Sequence, residues 1–374
     1  MPALLPSPDP DGLLEYSVVY TDRSLNHMSA RFQQVMLDIA RVLKSAYNAQ
    51  SIVIVPGSGT FAMEAIARQF AHGKKCLILR NGWFSYRWTQ ILEMGQITQD
   101  VTVLKARRAE AGVQAPFSPA PLDEVIARIK TERPAVVFAP HVETASGIIL
   151  PDEYIRRVGA AVREVGGLFV LDCIASGTVW VDVAESQVDV LVSAPQKGWS
   201  GPPCCGLVAL GKRAQERIRD TKSSSFACDL LKWLQIMESY EQGGSAYHAT
   251  MPTSSLVAVR DAMLETERFG FGRAAEEARL LGRDARELLK SRGFASVAAD
   301  GFTAPGVVVS YTTRADIQSG KAFRDLGLQI AAGVPLQCDE GTDFRTFRLG
   351  LFGLDKLANR ERTIQSLARA LKEL

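Results

Sequence analysis

Asp189-Val-Leu-Val-Ser-Ala-Pro-Gln-Lys-Gly-Trp199 is the stretch whose reading decides the fold of this chain. Val188, Val190, Leu191 and Val192 form a short apolar run, the pattern of a buried strand. The run breaks into a polar turn that presents Lys197. Gly198, Gly201, Pro202 and Pro203 then forbid a helix, so the lysine sits on a shaped loop. Upstream, Gly167-Leu-Phe-Val-Leu-Asp172 is a second apolar strand, and it ends on a carboxylate. A lone lysine is ordinarily a solvated surface amine. The surrounding chain gives this one a context.

Moving outward, apolar runs alternate with helical periodicity. Phe32, Val35, Met36, Ile39, Val42 and Leu43 fall at steps of 3 and 4, which predicts a helix from Ser29, its N-cap, to Tyr47. Ser51 to Phe70 reads as strand, glycine turn and helix, with the helix starting near Thr60. Gly57 and Gly59 allow close backbone approach, Ser58 and Thr60 add hydroxyls, and the helix aims its N-terminal amides at the same spot. Together these make a cradle for an anion such as phosphate. The turn lacks the ending of a P-loop and the spacing of a dinucleotide fold. Strands are predicted at Cys76–Leu79, Val101–Leu104, Ala135–Pro140 and Gly206–Gly211, and helices around Leu122–Ile129, Tyr154–Val165 and Leu230–Met237. Asn81-Gly-Trp-Phe-Ser-Tyr-Arg-Trp88 reads as an aromatic-rich turn, from which one flat ring can stack on a planar cofactor. His141-Val-Glu-Thr-Ala-Ser-Gly147 directly follows an apolar strand, where parallel sheets place their ligands. This alternation predicts an α/β domain with a mainly parallel sheet flanked by helices. A long helical region from about Leu256 to Arg292, bent near Gly270 and Gly272, leads out of it. A smaller mixed α+β region closes the chain: strands at Gly306–Tyr311, Leu328–Gly333 and Phe344–Gly350, a helix at Ala315–Asp325, and a last helix marked by Leu357, Ile364, Leu367 and Leu371. The expected division is an N-terminal arm at 1–15, a large domain at 16–265 and a small domain at 266–374.

A chain of 374 residues, 47% hydrophobic, is long enough for two domains with buried cores. Its net charge of +2 is spread along the chain, which argues against a nucleic-acid surface. No run reaches the roughly 18 apolar residues of a membrane helix. MPALLPSPDPDG has neither the basic nor the apolar region of a signal peptide. Six scattered cysteines read as reduced cytoplasmic thiols, and neither they nor the four histidines have metal-ligand spacing.

A carboxylate at one strand end and an amine at another are what a pyridoxal phosphate site needs. The amine of Lys197 would form a Schiff base, and Asp172 would keep the pyridine nitrogen protonated so that the ring can accept electrons.

With these pieces in order, the chain resembles the class V aminotransferase family of fold-type I pyridoxal phosphate enzymes, nearest to the alanine–glyoxylate and serine–pyruvate aminotransferase group. The resemblance runs from about Ser51 to the C-terminus. It implies that Ser58, Gly59 and Thr60 bind the phosphate, that Phe84 stacks on the pyridine ring, and that Thr144 lies near the phenolic oxygen. It implies Asp172 as the pyridinium partner, Ile174 under the ring, Gln196 as a phosphate-side donor and Lys197 as the Schiff-base lysine. Tyr247 and Thr250 would reach the phosphate of a neighbouring subunit, so a homodimer with shared active sites is implied. Arg348 would hold the substrate carboxylate through its planar fork. The expected activity is transamination between a small amino acid and a 2-oxo acid, alanine or serine with glyoxylate or pyruvate. An aminophosphonate donor is an alternative. So is a lyase or desulfurase, for which Cys338 on its Gly/Asp/Glu-rich loop would serve as the thiol. The group's Gly-Pro turn ahead of the first long helix is absent here. Tyr20-Thr-Asp-Arg-Ser-Leu-Asn-His-Met28 stands in its place, which implies a substrate pocket built differently.

Overall fold

The apolar runs of the first two-thirds of the chain pair into one sheet in the computed structural model, which describes residues 6–108 and 110–374. Residues 1–5 of the expected arm lie outside the described residues. The strands are β1 (Ser51–Pro56), β2 (Cys76–Arg80), β3 (Val101–Lys105), a short ribbon of β4 (Arg107–Arg108) and β5 (Phe117–Ser118), β6 (Val136–Pro140), β7 (Leu168–Asp172), β8 (Val190–Ser193) and β9 (Cys205–Leu210). The main sheet has the order β1-β9-β8-β7-β6-β2-β3. Neighbours from β8 through β3 are parallel, and β9 runs antiparallel to both β1 and β8. Strands β2, β6, β7, β8 and β9 are buried along their whole length. This is why they read as unbroken apolar runs rather than alternating ones.

Helices α1 (Ala30–Tyr47), α2 (Gly59–Phe70), α3 (Trp83–Met94), α4 (Leu122–Glu132), α5 (Asp152–Glu164), α6 (Lys212–Ile218), α7 (Leu230–Glu241) and α8 (Thr253–Phe269) accompany this sheet. Helix α1 begins as its sequence implies: the Ser29 hydroxyl accepts from the Phe32 amide at 3.1 Å, and Phe32, Val35, Met36, Ile39, Val42 and Leu43 are all buried.

The rest of the chain is α9 (Phe271–Ser291), β10 (Val307–Tyr311), α10 (Ala315–Gln318), α11 (Lys321–Asp325), β11 (Ala331–Ala332), β12 (Thr346–Gly350), α12 (Leu354–Ala358) and α13 (Arg360–Glu373). The three strands form an antiparallel sheet in the order β10-β12-β11. Leu281, Leu289, Phe323, Phe347 and Leu371 belong to a core of this region's own. A further apolar cluster joins the two parts: Val142, Ala145, Ile148 and Ala175 from the loops of the main sheet, with Val297, Val307, Val309 and Leu336.

Four local readings change. The aromatic stretch expected as a turn is the start of α3. Helix α6 was not foreseen. The helix expected at Ala315–Asp325 is broken at Gly320, whereas the region from Leu256 divides into α8 and α9 at Gly270, where the bend was expected. The strand expected at Leu328–Gly333 shrinks to the exposed pair Ala331–Ala332, as befits a short edge.

The loop after β8 is fixed by a close backbone contact. A Cβ on Gly198 would stand 1.9 Å from the Gly177 carbonyl oxygen, which only a shift of main chain could relieve. Gly198→Ala is therefore expected to lower stability by more than about 2 kcal/mol. Gly272→Ala, in α9 with nothing within 4 Å of the added carbon, should leave stability unchanged or raise it by up to about 1 kcal/mol. Urea denaturation of the two variants checks the contrast, and equal midpoints would contradict it.

Candidate active site

Parallel register brings the singled-out strand ends together. Pro140 pairs with Asp172 across β6 and β7, and Asp172 pairs with Val192 across β7 and β8. The His141–Gly147 loop, Asp172 and the Lys197 loop thus leave the same edge of the sheet. Asp172 is only 7% exposed. Its Oδ1 accepts from the Ile174 amide at 2.9 Å, and its Oδ2 has no hydrogen-bond partner among the described residues. Burial pushes this carboxyl up to about 7. The Ile174 amide opposes the rise, nearby Glu143 adds to it, and Arg87 and Lys197 oppose it. Lys197 is half-buried and makes no ion pair among the described residues. Its Nζ stands 5.0 Å from the centre of the Phe352 ring. Burial lowers its pKa, Arg348 lowers it further, and Asp172 works against both.

The turn between β1 and α2 closes on the same place. A Cβ on Gly59 would lie 2.6 Å from Ile174 Cδ1 and 3.3 Å from Ala194 Cβ, so the turn touches both the Asp172 loop and the Lys197 loop. Ser58 occupies the N-cap of α2, yet its hydroxyl makes no capping bond. A free hydroxyl beside the unpaired first amides of a helix is a donor set suited to a phosphate.

Phe84 enters on the first turn of α3, where it is held by a residue that local sequence reading did not single out. Glu143 is fully buried. Its carboxylate accepts from the Phe84 amide at 3.1 Å, the Ser85 amide at 2.8 Å, Ser85 Oγ at 2.6 Å and the Ala145 amide at 2.9 Å. A tertiary acid therefore caps α3, where the local signal, Asn81-Gly82, reads as a turn. Guanidinium groups flank the Phe84 ring, Arg87 at 5.1 Å and Arg348 at 5.5 Å from its centre. Arg348 Nε donates to the Ala332 carbonyl at 2.8 Å. Arg87, Glu143 and Phe352 are the neighbours of the site that the sequence reading missed. The hint for Glu143 was an acid directly after an apolar strand, inside a stretch already singled out. Arg87 and Phe352 carried no local signal.

Other expected residues stand less centrally. Thr144 is half-buried next to Glu143, and Gln196 is exposed beside Lys197. Tyr247 and Thr250 lie on the exposed loop between α7 and α8, their hydroxyls 3.0 Å apart. Among the described residues, neither makes a hydrogen bond or ring contact with Asp172, Lys197 or Phe84. Tyr247 packs instead with the atypical N-terminal segment: the His27 ring lies 5.6 Å from that of Tyr247 and 5.7 Å from that of Tyr20, and Tyr20 donates to the Met251 carbonyl at 3.2 Å.

An unpaired amine, a dry carboxylate with one free oxygen, an aromatic face and a phosphate-shaped turn are a donor set that fits pyridoxal phosphate. The comparison with known proteins agrees. Residues 12–319 match the family described as aminotransferase class V, and the chain belongs to that family. The alanine–glyoxylate aminotransferase of Rattus norvegicus is 23% identical over 360 residues, covering 94% of this chain and 83% of that one. The 2-aminoethylphosphonate–pyruvate transaminase of Syntrophobacter fumaroxidans is 28% identical over 310 residues, covering 80% and 77%. Among solved structures, the alanine–glyoxylate aminotransferase of Nostoc sp. superposes with a TM-score of 0.79 at 23% identity, covering 94% of this chain and 89% of that one. The chain is thus an α/β aminotransferase of fold type I that uses pyridoxal phosphate and moves an amino group between an amino acid and a 2-oxo acid.

The dry setting of Asp172 has a consequence for the cofactor-free protein. Its folded pKa of about 7 lies above the unfolded value near 4. A carboxyl that binds its proton more tightly when folded contributes stability that is fully present below about pH 4. That contribution fades as pH rises towards 7 and is lost above it. Asp172→Asn removes the ionisation. The variant should match the native protein near pH 4 and exceed it by roughly 2–4 kcal/mol at pH 8. Urea melts across that range check the sign, and a difference that does not change with pH would contradict the dry setting.

Proposed function

We propose that Lys197 is the residue that carries the cofactor and moves the proton. Bound pyridoxal phosphate supplies an aldehyde that takes up the amino group and a ring that accepts electron density from the substrate α-carbon. With the cofactor and an amino acid in place, the Lys197 amine would act as base at the substrate α-carbon and as acid at the cofactor C4′. Its depressed pKa keeps a larger share of it unprotonated and ready for this task. Asp172 pairs with the ring nitrogen and holds a proton there, since opposite charges in contact favour the charged form. Ser58, Gly59 and Thr60 hold the phosphate, with Gln196 beside them. Phe84 would stack on the ring, Ile174 would pack under it, and Thr144 would lie near the phenolic oxygen. Arg348 fixes the substrate carboxylate through its fork.

The observation that carries this reading is the half-buried Lys197 amine. It has no acid partner of its own among the described residues, yet it lies within Coulombic reach of a buried carboxylate delivered by the next strand.

We read alanine or serine as the donor and glyoxylate or pyruvate as the acceptor, following the relatives named for alanine and glyoxylate. The relative named for 2-aminoethylphosphonate and pyruvate favours an aminophosphonate donor as the second reading. A desulfurase is disfavoured by Cys338. Its thiol is buried and donates to the Arg80 carbonyl at 3.3 Å. Burial first, and then Glu143 and Glu340, pushes its pKa up to about 12, which leaves little thiolate to act as nucleophile. We retain residues 16–265 as the large domain and 266–374 as the small one, on the strength of the separate C-terminal core. Six unpaired, buried cysteines support a cytoplasmic setting. Tyr247 is 54% exposed, and we assign it and Thr250 to the phosphate of a partner subunit in a homodimer.

Lys197→Ala should lack the visible absorbance of covalently held cofactor and lose at least about 100-fold in turnover. Retention of both would overturn the assignment. Sedimentation of the loaded protein should give a dimer, and a fully active monomer would contradict the shared sites.

A further inference from the structure

Arg87 has a place in the site but no function in the reading so far. It lies one turn into α3, on the segment clamped by Glu143, and is half-buried. Its Nη1 donates to Thr60 Oγ1 at 3.0 Å. Its other N–H groups have no hydrogen-bond partner, and the guanidinium has no carboxylate partner, among the described residues. A cation drawn out of water without an acid beside it is costly, and it persists where an anion is due to arrive. Two anionic groups enter this site, the cofactor phosphate and the substrate carboxylate. The neighbours of the two arginines differ. Arg348 is tied to the Ala332 carbonyl of β11 in the C-terminal sheet, whereas Arg87 is tied to Thr60 in the first turn of α2. Phe84, the ring assigned to stack on the cofactor, lies against both.

We propose that Arg87 is a ligand of the cofactor's phosphate group, completing with charge the cradle that Ser58, Gly59 and Thr60 build from amides and hydroxyls. The proposal rests on the cofactor position argued above. A guanidinium suits this place because its planar fork can keep the Thr60 bond on one edge and offer its other donors to phosphate oxygens. The helix terminus alone presents only partial charge to a dianion. Arg87 also lies near enough to Lys197 to help lower its pKa. Bound phosphate would offset that charge, so cofactor binding and the protonation of Lys197 would be linked.

The test compares two ligands that differ only in the phosphate. Cofactor-free native protein, Arg87→Lys and Arg87→Gln are titrated with pyridoxal phosphate and with pyridoxal, followed by quenching of tryptophan fluorescence. Circular dichroism and sedimentation check fold and assembly. The native protein should bind pyridoxal phosphate much more tightly than pyridoxal. Arg87→Gln should weaken pyridoxal phosphate binding about 10- to 100-fold and leave pyridoxal within about twofold, with Arg87→Lys between the two. Equal losses for both ligands would make Arg87 a support for Phe84 and overturn the proposal. So would an unchanged preference for the phosphorylated ligand, or a loss that merely tracks a change of assembly or fold. Those outcomes leave the Ser58–Thr60 cradle standing. A native protein that showed no preference for the phosphorylated ligand would remove the cradle as well.

Discussion

A carboxylate stripped of water at the end of β7 is the constraint around which the site is arranged. Asp172 receives one hydrogen bond, from the Ile174 amide, and burial drives it towards the protonated form. Left ionised, such a group costs stability unless a cation meets it. The nearby cations do not close on it: Lys197 is turned to Phe352 and Arg87 to Thr60. A protonated ring nitrogen would complete the pairing, and the free oxygen of Asp172 is where it would bind. The stability lost in the cofactor-free chain would thereby be exchanged for affinity and for a ring that stays protonated.

Glu143 shows the opposite solution one strand away. It is as deeply buried, yet four donors converge on its carboxylate. Its task is mechanical: it fixes the first turn of α3, and with it Phe84 and Arg87. Two buried acids at one sheet edge thus differ in what they lack. Glu143 is satisfied by the protein, and Asp172 is left wanting one partner.

Much of this was legible in the sequence because it is local. The Ser29 cap and the 3–4 spacing after it describe α1 within a single window, and fully apolar runs ending on Asp172 or just before Lys197 describe strands buried on both faces. The strand–turn–helix from Ser51 was equally plain. What escaped was set by distant partners. Helix α3 has a glycine at its N-cap, and beside the local Ser85 hydroxyl its first turn is held by an acid 58 to 59 residues away, which no local reading reveals. Arg87 gained meaning only when α3 and α2 met at Thr60. Phe352 gained meaning only when the small sheet brought it to Lys197. The pair Ala331–Ala332 is a strand solely because β12 offers it an edge. Order along the chain was readable, and cross-chain capping was not.

The most direct measurement reduces the loaded protein with borohydride, digests it and locates the pyridoxyl group by mass spectrometry. The expected result is a single modified peptide carrying the label on Lys197. A label on another lysine, or none on the peptide spanning the loop after β8, would contradict the arrangement of strand ends from which the rest is derived.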